Sequence, residues 1–218
     1  MKRTIMLTAL IACFITIPSV VKAQKDNKEK KEFKYIIDEF ADIKVMRYQI
    51  PAWENLTIKQ QEYLYYLSEA AKSGRDILWD QNYKYNLTVR KTLENIFSSY
   101  KGKRQGKDWD NFVLYSKRVF FSNGIHHHYA EDKIKPEFSR QFFSTLVKGS
   151  SLQGFPTNKG EKVDAFLARV TDIMFNNNVA PKRKETDKTK DIVANSAVNF
   201  YEGVTRSEVE AFYSKKES

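Results

Sequence analysis

The 218-residue sequence contains a single cysteine, Cys13. It falls in an apolar leader, so the processed chain is expected to carry no disulfide, no thiolate nucleophile and no cysteine metal ligand. Histidine is almost as scarce: His126, His127 and His128 stand side by side and are the only three. None is followed by glutamate, so the His-Glu-x-x-His zinc motif is absent. Eight glycines and five prolines are few for this length. They fit long helices joined by few tight turns better than a many-stranded barrel. No internal repeat is present.

Apolar material is plentiful: 41% of residues are hydrophobic and 14% aromatic. That is enough for one core, too little for two large domains, and inconsistent with global disorder. The formal charge is +10. Lys2, Arg3 and Lys22 supply three of the 37 basic residues, which leaves 34 against 27 acidic ones downstream, a balance of +7. The excess is scattered over Lys101–Lys107 and Lys182–Lys190. Nucleic-acid binders gather charge on one element with aromatics beside it. Without such a stripe, no specific nucleic-acid partner is expected, and the clusters read as solvated loops.

Met1-Lys2-Arg3, the apolar run Thr4–Val21 and the small residues of Val21-Lys22-Ala23 read as residues 1–23 of a secretory signal peptide, cleaved before Gln24. Leu10-Ile11-Ala12-Cys13 offers a competing reading, a lipid anchor at Cys13, but Phe14–Val21 stays apolar where a polar tether should follow. Cleavage at Ala23 is preferred, giving an exported, periplasmic or cell-envelope protein without a membrane span. Residues 24–39 are read as a charged tether.

From residue 40 onward the pattern predicts a mainly α fold with few short strands. Phe40–Pro51 is expected to be extended. Thr57 is placed to cap a helix from Ile58, with a stripe at Leu64, Leu67, Ala71, Gly74 and Leu78. Gly74 marks either a kink or a close helix approach. Further stripes are Val89, Leu93, Ile96, Phe97 and Tyr100, then Trp109, Phe112, Val113, Ser116 and Phe120, ending at a glycine cap, Gly124. Pro136 is expected to open a fourth helix with Phe138, Phe142, Leu146 and Val147, and Val163–Met174 gives the cleanest period. Ala180–Asp191 reads as a loop or short strand pair, and Ile192–Phe200 as a short helix or strand. Thr205 and Glu208 form a capping box for a last helix burying Val209, Phe212 and Tyr213.

Few motifs carry chemistry. Adjacent residues on a regular element point different ways, so three neighbouring histidines cannot all face one metal. They are expected to bond the backbone or face a substrate, with Asp132 as an acceptor for one ring. Gly102–Lys107 fails as a phosphate loop, because the glycine spacing is one short and Asp108 stands where Ser or Thr would hold magnesium. Gly149–Gly154 lacks the glycine pair of a nucleophile elbow. Asn55-Leu56-Thr57 and Asn86-Leu87-Thr88 are formal glycosylation sequons that helix capping explains. Trp79–Tyr83 is a polar, aromatic helix end that reads as a satisfied terminus.

Five segments, taken together, resemble the dipeptidyl-peptidase III family of zinc metallopeptidases, in its Bacteroides-type bacterial members. They are Phe40–Ile43 with Arg47-Tyr48, then Gly74–Asn82, Tyr85–Arg90, Phe121–Tyr129 and Ser196–Val204. Their order and approximate spacing match as well. The resemblance implies an aminopeptidase-type hydrolase of two lobes around a cleft, releasing dipeptides from the free N-termini of peptides. It implies zinc held by His-Glu-x-x-Gly-His, or its shorter form, and a second glutamate-bearing helix. None of these residues occurs in this sequence, so no catalytic residue or metal ligand carries over and no cofactor is expected for this chain alone. Residues 40–218 are then the helical start of the lobe opposite the zinc, from a truncated or split gene, with the C-terminal part of the enzyme as partner. The loop after residue 121 would lie near the peptide cleft, with Asn123, His128 and Tyr129 as substrate contacts. The rival expectation is a self-standing exported helical module that binds peptides or a partner protein.

Overall fold

A computed structural model describes residues 33–216; the expected signal peptide, Cys13 and residues 24–32 of the expected tether lie outside the described residues. The chain divides into residues 1–35 and residues 36–218. In the first unit the described residues include Phe33 and Tyr35, whose rings meet edge to face at 4.8 Å. The elements below all belong to the second.

That unit is mainly α-helical. It opens with an antiparallel hairpin, β1 (Ile36–Phe40) and β2 (Ile43–Met46), in register through Phe40 and Ile43. Its two-residue turn holds Ala41 at a left-handed φ of 49°. All of β1 but Phe40 lies inside the span predicted as tether: its partner strand, not its own charged composition, decides its conformation. Helix α1 (Ile58–Ser73) starts at a full capping box, with Thr57 accepting from the Gln60 N–H and Gln60 accepting from the Thr57 N–H. It stops at Gly74, and α2 (Arg75–Asn82) follows directly. The predicted stripe is therefore broken by a kink.

The stripe is also not buried. Leu64 and Leu67 are 42% and 47% exposed, and α1 buries no residue at all. Its apolar period is real, but among the described residues nothing packs over it. Of α2, only Trp79 is buried.

The core is built by α3 (Asn86–Ser99), α4 (Lys107–Ser122), α5 (Arg140–Lys148) and α6 (Val163–Phe175). Val89, Leu93 and Ile96 from α3, Phe112, Tyr115 and Val119 from α4, Phe143, Leu146 and Val147 from α5, and Phe166, Val170, Ile173 and Met174 from α6 form one buried cluster. Rings knit these helices: Phe112 meets Phe138 at 5.4 Å, and Phe138 meets Phe175 at 5.4 Å. Such edge-to-face pairs add to the burial of their apolar surface. Pro136 does not open α5. Ser139 caps it instead, accepting from the Phe142 N–H, and Phe138 enters the core ahead of the helix.

Residues 176–205 contain no strand or helix: of the two expectations for Ala180–Asp191 the loop holds, and Ile192–Phe200 forms neither the helix nor the strand expected of it. They form turns stitched to the helical body by their backbone, with Ala197 N–H donating to the Arg183 carbonyl and Asn199 N–H to that of Gln81. Helix α7 (Arg206–Lys216) has the expected capping box, as Thr205 N–H donates to Glu208 and Glu208 N–H to the Thr205 hydroxyl. It buries nothing, however: Val209 is half-buried, and Phe212 and Tyr213 are exposed. Among the described residues no helix is long and apolar enough to cross a membrane.

Candidate functional site

Helix α4 ends where the chain must turn sharply, and Asn123 supplies the turn with a left-handed φ of 51°. Gly124 follows at φ 154°, not as the cap itself. Its glycine identity is fixed by Asn86, whose amide nitrogen would stand 2.3 Å from any Cβ there. Asn86 is not a cap either. It is fully buried in the first turn of α3, where its amide donates to the Trp79 carbonyl and accepts from the Ile125 N–H, both at 3.1 Å. One side chain thus pins the end of α2 to the start of the histidine loop, and burial closes its sequon to a glycan.

His126 then parts from the other two imidazoles. His126 turns inward, 1% exposed, with Nε2 donating to the Ala180 carbonyl at 2.8 Å. Its Nδ1 is buried without a partner, and burial pushes its pKa down to about 4. His127 accepts at Nδ1 from the N–H groups of Tyr129 and Ala130, so its proton sits on Nε2 and is donated to Asp42 at 3.2 Å. That bond ties the loop to the hairpin turn and holds the Asp42 carboxyl below its usual range. Asp132 does not accept a ring proton; its side chain pairs with Lys182 and its carbonyl takes the His127 N–H. His128 stacks on His127 at 4.6 Å and meets Phe121 and Tyr129 edge-on. Burial, then the neighbouring His127, lowers its pKa.

Beneath the loop lies an ion pair that the residue pattern did not reveal. Arg183 donates Nε and Nη2 to the two oxygens of Glu131 at 2.6 and 2.7 Å, and also Nη2 to the His128 carbonyl at 3.3 Å. Planar two-point pairing of this kind fixes orientation as well as charge. Asn82, at the end of α2, donates to the Asn123 carbonyl at 3.2 Å and faces Arg183 at 3.4 Å. Asn123, Glu131 and Ala180 all hold left-handed φ values without being glycine. Backbone strain of this kind persists only where surrounding bonds over-determine it, and it gathers at functional sites. Asp42, Asn82 and Asn86 lay within segments already singled out by resemblance. Arg183 lay in a Lys/Arg run, and nothing local distinguishes it from its solvated neighbours.

The proposed substrate contacts sit on this frame. Asn123 and His128 are half-buried and joined through Asn82 and Arg183, whereas Tyr129 projects at 84% exposure. At the Trp79–Tyr83 helix end Gln81, Asn82 and Asp80 are bonded to later segments, whereas the buried Trp79 Nε1 has no partner, so the terminus is only partly satisfied.

Among the described residues His126 Nε2 and His127 Nδ1 are committed to the backbone, and no three His, Cys, Asp or Glu side chains converge. No protein-family model matches this chain, and no curated protein sequence matches it.

Proposed function

We propose that this chain is the helical N-terminal part of the non-zinc lobe of an exported dipeptidyl-peptidase III-like enzyme. It forms one wall of a cleft for peptides with a free N-terminus and does not hydrolyse them alone. The observation carrying this reading is the meeting of the five resembling segments in space. Asp42 of the first bonds His127 of the fourth, and Asn82 of the second bonds Asn123 of the fourth. Asn86 of the third bonds both Trp79 and Ile125, and Asn199 of the fifth bonds Gln81. Segments far apart in sequence thus form one continuous patch, as a shared functional surface requires.

On that patch Asn123 would offer its side-chain amide to a peptide backbone, since its carbonyl is already taken by Asn82. His128, its rear nitrogen buried, would present its outer edge, and Tyr129 would stack over an extended peptide. Metal chemistry would belong wholly to the remainder of the enzyme, which would also cover the bare face of α1.

The test is hydrolysis of a dipeptidyl-naphthylamide by the purified chain with added zinc. No chelator-sensitive release is expected, because nothing here can polarise the carbonyl or activate water. Release abolished by a chelator would overturn the proposal. A second reading, the self-standing peptide- or partner-binding module, is favoured by the closure of the α3–α6 core within the chain.

A further inference from the structure

A cavity of about 400 Å³ lies between the turn after α2, the loop after α6 and residues 193–204. It has the size of a small-molecule site, which runs from about 300 Å³ upward. Its lining mixes apolar side chains, Val193 and Val198, with the amides of Asn178 and Asn195. Tyr83, itself buried, lines it too, and burial keeps its phenol protonated. Two charges of opposite sign stand in the same lining, Lys84 and Glu202, paired to each other. They come from chain positions 118 residues apart. Their side chains are 40% and 70% exposed, and so open a pair contributes little when closed.

We propose that this cavity binds a small zwitterion with an apolar side chain, an α-amino acid or a dipeptide, its carboxylate on Lys84 and its ammonium on Glu202. A zwitterion exchanges one weak exposed ion pair for two, which no singly charged ligand can do without leaving the other partner unpaired. Its side chain would cover Val193 and Val198, and the amides of Asn178 and Asn195 match the peptide or carboxyl groups of such a ligand. The inference does not rest on the peptidase reading: the cavity shares the Ser196–Val204 segment with that patch, but Asn123, His128 and Tyr129 are not among the residues lining it.

Calorimetric titration of the full chain with Leu-Leu, leucine and N-acetyl-Leu-Leu-amide tests it. Saturable binding of Leu-Leu or leucine is expected, with the tighter of the two identifying the source. The doubly blocked peptide should bind at least about tenfold more weakly. Lys84→Met and Glu202→Gln should each weaken binding at least about tenfold while leaving the thermal unfolding midpoint in place, since both side chains are open to solvent. No saturation by either zwitterion up to about 10 mM, equal binding of the blocked peptide, or variants that bind as the parent does would overturn it.

Discussion

Lowering the pH from 7 to 4 is expected to remove about 3 kcal/mol of folding stability through His126 alone. In the folded chain its proton sits on Nε2, bound to the Ala180 carbonyl, and Nδ1 faces a buried site with no partner. A second proton would place a buried charge there, beside Lys133 and Arg183, and the Ala180 carbonyl and Glu131 offset only part of that cost. The folded pKa, about 4, lies below the unfolded value of 6.5. Between these values the unfolded chain binds more protons than the folded one, so stability is full above about pH 6.5 and falls as the pH drops towards 4. Carboxyls held low by their partners, Glu131 by Arg183 and Asp42 by His127, extend the loss to lower pH still. Urea unfolding at a series of pH values measures it. His126→Phe should start less stable, having lost the bond to Ala180, and should show a flattened slope in this window. A slope unchanged in the variant would contradict the assignment.

The second large effect is expected at Asn86. Asn86→Ala deletes one side chain, leaves the buried Ile125 N–H without a partner, and leaves the Trp79 carbonyl with the Tyr83 N–H alone. An orphaned buried group costs about 1–3 kcal/mol and the lost bond to Trp79 adds to it, so the loss should be about 2 kcal/mol or more. Gly124→Ala attacks the same junction from the other side, driving a Cβ into the Asn86 amide. With Asn86 already truncated, that collision disappears. The double variant should therefore cost clearly less than the sum of the two single changes, as a double-mutant cycle in urea would read out. Strict additivity would mean that the two residues do not share the contact described.

The helices of the core were legible in the amino-acid pattern because their apolar stripes are buried. Val89, Leu93 and Ile96, and likewise Phe166, Val170 and Ile173, recur at helical spacing and are fully or nearly fully buried. The stripe through Leu64 and Leu67 has the same period and is exposed, since periodicity reports an amphipathic surface and says nothing of whether another element covers it. The same holds for Phe212 and Tyr213 on α7. Strand β1 escaped notice because Ile36 and Ile37 are set among charges, and a hairpin is decided by pairing across the turn, not by composition. In the site, backbone geometry foretold that the three adjacent histidines would not share one direction, and His126 does turn inward while His127 and His128 stack on each other. The Asp42 contact to His127 and the Arg183–Glu131 pair join residues 85 and 52 positions apart, a relation that no local motif encodes.

The α1 surface separates a part of a larger lobe from a self-standing module. Tyr63, Leu64, Tyr66 and Leu67 form an apolar strip exposed to solvent, with Ile58 and Tyr65 on the same helix also open. Contiguous exposed apolar surface of this kind marks an interaction face. The direct measurement is the fluorescence of a hydrophobic dye, with light scattering of the same samples. If α1 is a face that the rest of a larger lobe covers, the purified chain will bind the dye, associate with rising concentration, and lose both properties in Leu64→Glu/Leu67→Glu. A parent chain that stays monomeric and dark to the dye would contradict the account and make this a self-standing module.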